Sequence, residues 1–262
     1  MFECNPEWNR AIRAFSLEGD VALVTGGGTG LGFAIAKALR DFGARVIITG
    51  RREAVLQGAV ENLGKGATYE VHDVVDVESA PALAKKIAAG AGPITILVNN
   101  AGVHLKKSVE DTTAREFQGI LETHVMGSFG LSAAVIPHMR QAGHGSILFM
   151  ASMTSFIGMP KAIAYSAAKS AYLGMVRSLA SELSPGGIRV NAIAPGWIET
   201  PMLHKALDGD SARRNRILAR TPMNRFGQAE DVAWAAAFLC SPASRFITGV
   251  VLPVDGGASI GF

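Results

Sequence analysis

Tyr165 and Lys169 stand four residues apart in the stretch "YSAAK". On a helix that spacing puts both on one face, so the ammonium can sit beside the phenol. The pair has a chemical use. A phenol of ordinary pKa ~10 that takes a proton from an alcohol near neutral pH must ionise about three units lower, a change of ~4 kcal/mol. A Lys charge ~5 Å away supplies roughly 3 kcal/mol of it at an effective dielectric near 20. Ser152, thirteen residues before the Tyr, ends an apolar run and can hydrogen-bond the substrate oxygen within reach of the phenol. Tyr172 has no Lys four residues on and is assigned to packing.

Such a pair needs a frame. Short β-branched runs at 21–26, 45–50, 68–73, 94–99, 146–151, 189–195 and 250–255 alternate with Ala- and Leu-rich helical patterns. Several runs are apolar at consecutive positions, as strands covered on both faces are, and the alternation predicts an α/β protein with a doubly wound parallel sheet. Neither a repeat nor a linker interrupts it, so residues 15–262 read as a single domain behind an N-terminal extension, 1–14. In the extension Trp8, Ile12 and Phe15 fall at helical spacing and are expected to pack on the body. The long strand-free piece after residue 196 is the place for a substrate lid, about 197–227.

Ligands of open α/β sheets bind beyond the carboxyl ends of the strands. After the first run comes "TGGGTGLG", with Gly26, Thr29, Gly30, Leu31 and Gly32 opening a helix whose N-terminus suits a pyrophosphate. The second run ends "ITGRR". Gly50 leaves room there, and Arg51 and Arg52 offer guanidinium forks suited to a ribose 2′-phosphate, which favours NADP over NAD. "NNAG" (99–102) follows the fourth run, Ser152 the fifth and "PGWIET" (195–200) the sixth.

These motifs, in this order and at these separations, resemble the short-chain dehydrogenase/reductase family from about Leu17 to Gly257. The resemblance implies a Rossmann-type, seven-stranded sheet in the order 3-2-1-4-5-6-7. It also implies hydride transfer between a nicotinamide cofactor and an alcohol or carbonyl. By resemblance Asp73 contacts the adenine and Val74 packs on it, Asn99, Ala101 and Gly102 line the nicotinamide ribose, Ile198 and Thr200 approach the carboxamide, and Pro195 and Gly196 also bind the cofactor. Lys169 would also hold the ribose hydroxyls. His124 replaces an Asn that the family uses in a proton relay, so a relay role and a packing role both stay open. "ASMTSF", "IAPGWIETPM" and the entry into the first strand are similar to the gluconate 5-dehydrogenase and deoxygluconate dehydrogenase branch, and 3-oxoacyl-carrier-protein reductases share most of these. A non-catalytic dinucleotide-binding sensor or scaffold is the alternative of another class. Family members are commonly homotetramers.

Candidate substrate contacts are His104, Lys106 and Lys107 after "NNAG", Met153 to Phe156 after Ser152, and Trp197 to Met202. Arg213, Arg214 and Arg216 in "SARRNRILAR" read as facing water. A formal charge of +3 without a block of like charges implies neither a nucleic acid nor a membrane partner. Two cysteines far apart suggest a reducing compartment, no His spacing suggests a metal, and the opening lacks an apolar leader, so a cytoplasmic protein is expected.

Overall fold

The computed structural model describes residues 12–200, Leu203 and residues 209–261. Seven strands form one sheet: β1 (Val21–Thr25), β2 (Arg45–Gly50), β3 (Ala67–Val71), β4 (Ile96–Asn99), β5 (Gly145–Met150), β6 (Ile188–Pro195) and β7 (Val251–Val254). All pair in parallel, in the order β3-β2-β1-β4-β5-β6-β7. The expected Rossmann-type sheet is therefore present, with strand ends within about two residues of the runs that forecast them.

The period of two along each strand feeds two cores. Ala22 and Val24 of β1 join Ile35 and Leu39 of α1 (Gly30–Asp41), Leu56 of α2 (Glu53–Leu63) and Val232 of a late helix. Val21 and Leu23 point the other way, toward Leu83 of α3 (Ala80–Ala91) and residues of the central helices. A fully buried aliphatic side chain contributes about 1.5–3 kcal/mol, so a one-residue slip of β1 would misplace several such contributions at once.

The chain from Ala114 to Ala142 is one helical run in three parts. α4 (Ala114–Leu121) begins with a reciprocal cap, in which Thr113 Oγ1 accepts from the Glu116 N–H and the Glu116 carboxylate accepts from the Thr113 N–H. A widened, π-helical turn covers Glu122–Met126, and α5 (Gly127–Ala142) follows. By length and hydropathy this run could cross a membrane. In this fold it is a core helix: Leu131, Val135 and Met139 pack against the sheet beside Val176 of α6 (Ile163–Leu183).

Beyond β6, α7 (Ser211–Arg220) precedes a bridge between Ile198 and Gly227, and Leu203, Ile217 and Phe226 make a small core with Trp197. This segment rises over the carboxyl rim of the sheet where the lid was expected. α8 (Ala229–Cys240) returns to the first core. At the other end Phe15 packs between Phe42 and Phe238, whereas Ile12 is 61% exposed and does not pack as its spacing suggested. Trp8 lies outside the described residues.

Candidate active site

β1 and β4 are adjacent, but their following connections run to opposite faces, which opens a crevice at the carboxyl rim. The resulting cleft measures about 1380 Å3, above the ~300–1,000 Å3 of ordinary small-molecule sites. Its length runs from the end of β2 to the lid.

The glycine loop forms the floor. A Cβ on Gly32 would lie 2.3 Å from the Gly26 carbonyl oxygen and 2.4 Å from Asn100 Nδ2, so only glycine allows α1 to start this close to β4. Asn100 Nδ2 donates to the Thr25 carbonyl, and Thr25 Oγ1 accepts from the N–H groups of Asn100 and Ala101. Thr29, Gly30 and Leu31 line the cleft above this clasp. Asn99 does not. It is 2% exposed, turned inward with Nδ2 donating to Ser132 Oγ at 3.1 Å, and its neighbour Asn100 takes the cleft position. The reason is strand parity: successive side chains alternate faces, and Asn99 falls on the α5 side.

Gly50, Arg51, Arg52, Asp73 and Val74 line one end of the cleft. Asp73 and Val74 follow β3 by two and three residues, and Arg51 Nη1 lies 3.9 Å from Asp73 Oδ2. Both side chains are largely exposed, so the pair is weak and leaves the guanidinium available. Ala101, Gly102, Pro195, Gly196, Ile198 and Thr200 line the middle. Among the described residues these positions fit a dinucleotide, with glycines below, two guanidinium groups at one end and apolar walls between.

The catalytic candidates meet opposite the lid. Ser152 follows β5, is 8% exposed, and its Oγ accepts from the Thr154 N–H at 3.1 Å. Tyr165 occupies the first turn of α6. Burial raises its pKa, and a hydrogen bond with the Ser152 hydroxyl opposes that rise. Lys169 lies one turn on, buried, its ammonium donating to the Met150 carbonyl and standing 5.6 Å from the Tyr165 ring centre. Burial draws the Lys169 pKa down to about 7. In the chain itself desolvation therefore works against both charges, so Lys169 lends Tyr165 less than a full cation at neutral pH.

His124 is 1% exposed in the widened turn. Its Nε2 lies 2.8 Å from the Val103 carbonyl oxygen, to which it donates when protonated, and its ring meets the Tyr165 ring edge-on. Burial, then the charge of Lys169, lowers its pKa to about 3. A Cβ on Gly102 would strike His124 Cε1 at 2.4 Å, which explains the glycine that closes "NNAG". His104 packs its ring against Tyr165, with centroids 4.8 Å apart.

Toward the mouth lie Lys106, Met153 and Trp197, with Lys161 and Arg220, which the sequence reading missed, and Arg213 and Arg216, which it had facing water. Positions 213, 216 and 220 share one face of α7 and line the cleft, whereas Arg214 stacks over Phe226. The spacing was visible, but which face turned inward was not, since that depends on how the lid folds back. Lys107 is committed elsewhere, 2.9 Å from the Glu116 carboxylate. Phe156 is 45% exposed and off the cleft. Met202 lies outside the described residues. No group of three or more His, Cys, Asp and Glu side chains is placed to hold a metal among the described residues.

Residues 26–259 match the family model described as enoyl-(acyl carrier protein) reductase. The chain is 41% identical over 246 residues to 2-dehydro-3-deoxy-D-gluconate 5-dehydrogenase of Bacillus subtilis, covering 93% of this chain and 96% of that one. It is 38% identical to the 3-oxoacyl-[acyl-carrier-protein] reductase of Vibrio cholerae, over 92% of this chain and 98% of the other. Among solved structures, a gluconate 5-dehydrogenase from Burkholderia cenocepacia in complex with NADP and tartrate superposes with a TM-score of 0.91 at 33% identity, covering 96% and 100% of the two chains.

Proposed function

Since this chain belongs to the short-chain dehydrogenase/reductase family of NAD(P)-dependent oxidoreductases, we propose that it interconverts a secondary alcohol and a ketone on a polyol or sugar acid, with NADP preferred. The observation that carries this reading is that Ser152, Tyr165 and Lys169 line one cleft whose mouth is lined by Lys106, Lys161 and Arg213. The first supplies proton transfer and the second suits a carboxylate.

When bound, the nicotinamide ring accepts or donates the hydride. The chain's own residues handle the proton. Ser152 holds the substrate oxygen, Tyr165 takes its proton in oxidation and returns it in reduction, and Lys169 favours the phenolate between the two events. Apolar Met153, Ile198 and Trp197 limit water at the reacting carbon. Arg51 and Arg52 support NADP, and similar solved structures in complex with NADP support the same choice.

A second reading, 3-oxoacyl-carrier-protein reduction, draws on Arg216 and Arg220, which are exposed at the mouth and suit an acidic carrier. One panel separates the two. Initial rates with NADPH and NADH are measured on keto-aldonic acids, neutral ketoses and acetoacetyl thioesters. The sugar-acid reading expects keto-aldonic acids to lead in kcat/KM. Leading thioesters would replace it.

A further inference from the structure

α6 presents three residues in a row on one face: Tyr165, Lys169 and, seven residues after the first, Tyr172. Tyr172 is fully buried. Its hydroxyl donates to the His124 carbonyl oxygen at 2.9 Å and lies 3.0 Å from Ser128 Oγ, whose own proton can complete the arrangement. His124 sits where the helical ladder is widened, the Gly127 N–H reaching back to the Glu122 carbonyl. The Tyr172 hydroxyl thus pins the turn that carries the His124 ring.

The ring of Tyr172 has a separate contact. Lys169 Nζ stands 5.0 Å from its centre and 5.6 Å from that of Tyr165, so the ammonium lies between two phenol faces. A ring face attracts a cation, and the attraction grows when both are out of water. We propose that Tyr172 is a positioning residue, its ring holding Lys169 in the charged form beside Tyr165. This inference rests on the reading of Tyr165 as the acid/base.

The groups facing the ammonium are few. Tyr165 and Tyr172 come from its own helix, the Met150 carbonyl from β5 and the His124 imidazole from the widened turn, with His104 behind Tyr165. His124 is neutral above about pH 3, so at working pH, among the described residues, the ring faces and the carbonyl oppose the desolvation that pulls Lys169 toward neutrality. Weakening the Tyr172 ring face lowers the charge on Lys169 and moves the ionisation of Tyr165 upward.

The test is the pH profile of kcat for alcohol oxidation with NADP, in Tyr172→Phe and in proteins carrying mono-, di- and trifluorophenylalanine at position 172. These rings are close in size and differ in the negative charge of their faces. Tyr172→Phe should keep the rising limb of kcat within about 0.3 unit, and successive fluorines should move it up to a total of about 0.5–1 unit, a threefold to tenfold loss at fixed pH on that limb. A limb that stays with Tyr172→Phe across the fluorinated series overturns the proposal. Tyr165→Phe is the control. Turnover retained there removes the acid/base reading, whereas an inactive Tyr165→Phe with an immobile limb removes only the role of Tyr172.

Discussion

Ser152, Tyr165 and Lys169 were legible because their chemistry depends on residue type and local spacing, both of which a sequence displays. What they experience was not. Lys169 is drawn to about 7 and Tyr165 upward by burial, which depends on how deep α6 sits against β5. His124 shows the same gap. Its pKa near 3 keeps the imidazole neutral throughout the working range, so kcat should carry no His124 limb between pH 6 and 7. His124→Asn should then retain activity within about tenfold, ~1.4 kcal/mol in the barrier. A wild-type ionisation near 6.5 that disappears in the variant would instead make the imidazole a proton carrier. Gly50 offers a cofactor test at the same scale. A Cβ there would meet only Leu56, at 3.5 Å, so Gly50→Asp fits and sets a carboxylate beside Arg51. The NADP to NAD ratio of kcat/KM should fall at least tenfold, and an unchanged ratio would remove the 2′-phosphate from this end of the cleft.

The elements were read from apolar runs, and all seven strands lie where those runs are. The errors were errors of facing. Asn99 and Asn100 differ by one step of strand parity, and the Arg213 face of α7 differs from the Arg214 face by a rotation that only the packed lid decides. α4 supplies a prediction at this scale because its first turn holds the loop after β4. Hydrogen bonds from the Thr113 backbone, then from Lys107, pull the Glu116 pKa from 4.5 to about 2. A carboxylate depressed in the folded state stabilises fully above its unfolded pKa and loses that contribution as pH falls through the folded value. The Tm gap between wild type and Glu116→Gln should therefore be widest above about pH 4.5 and close toward pH 2. A gap that does not change across this window would mean the cap and the Lys107 pair contribute nothing through charge.

At the scale of the whole molecule, Met126, Phe129 and Ile163 remain about half exposed on the helical layer around the site. Large apolar side chains left bare in this way suit self-association, and a homotetramer is the assembly proposed. Light scattering should give four times the 27.4 kDa chain mass, reduced in Phe129→Glu. A wild-type monomer would reject it. Two cores packed on one parallel sheet fix β5 and α6 against each other, and that packing brings the serine after β5 to the tyrosine and lysine of α6. The most direct measurement of this account is turnover by Tyr165→Phe beside its NADPH affinity. Removing one oxygen should cut kcat by about 10²–10⁴-fold while NADPH binding stays within a few-fold. Turnover near the wild-type rate, with the cofactor bound as before, would contradict it.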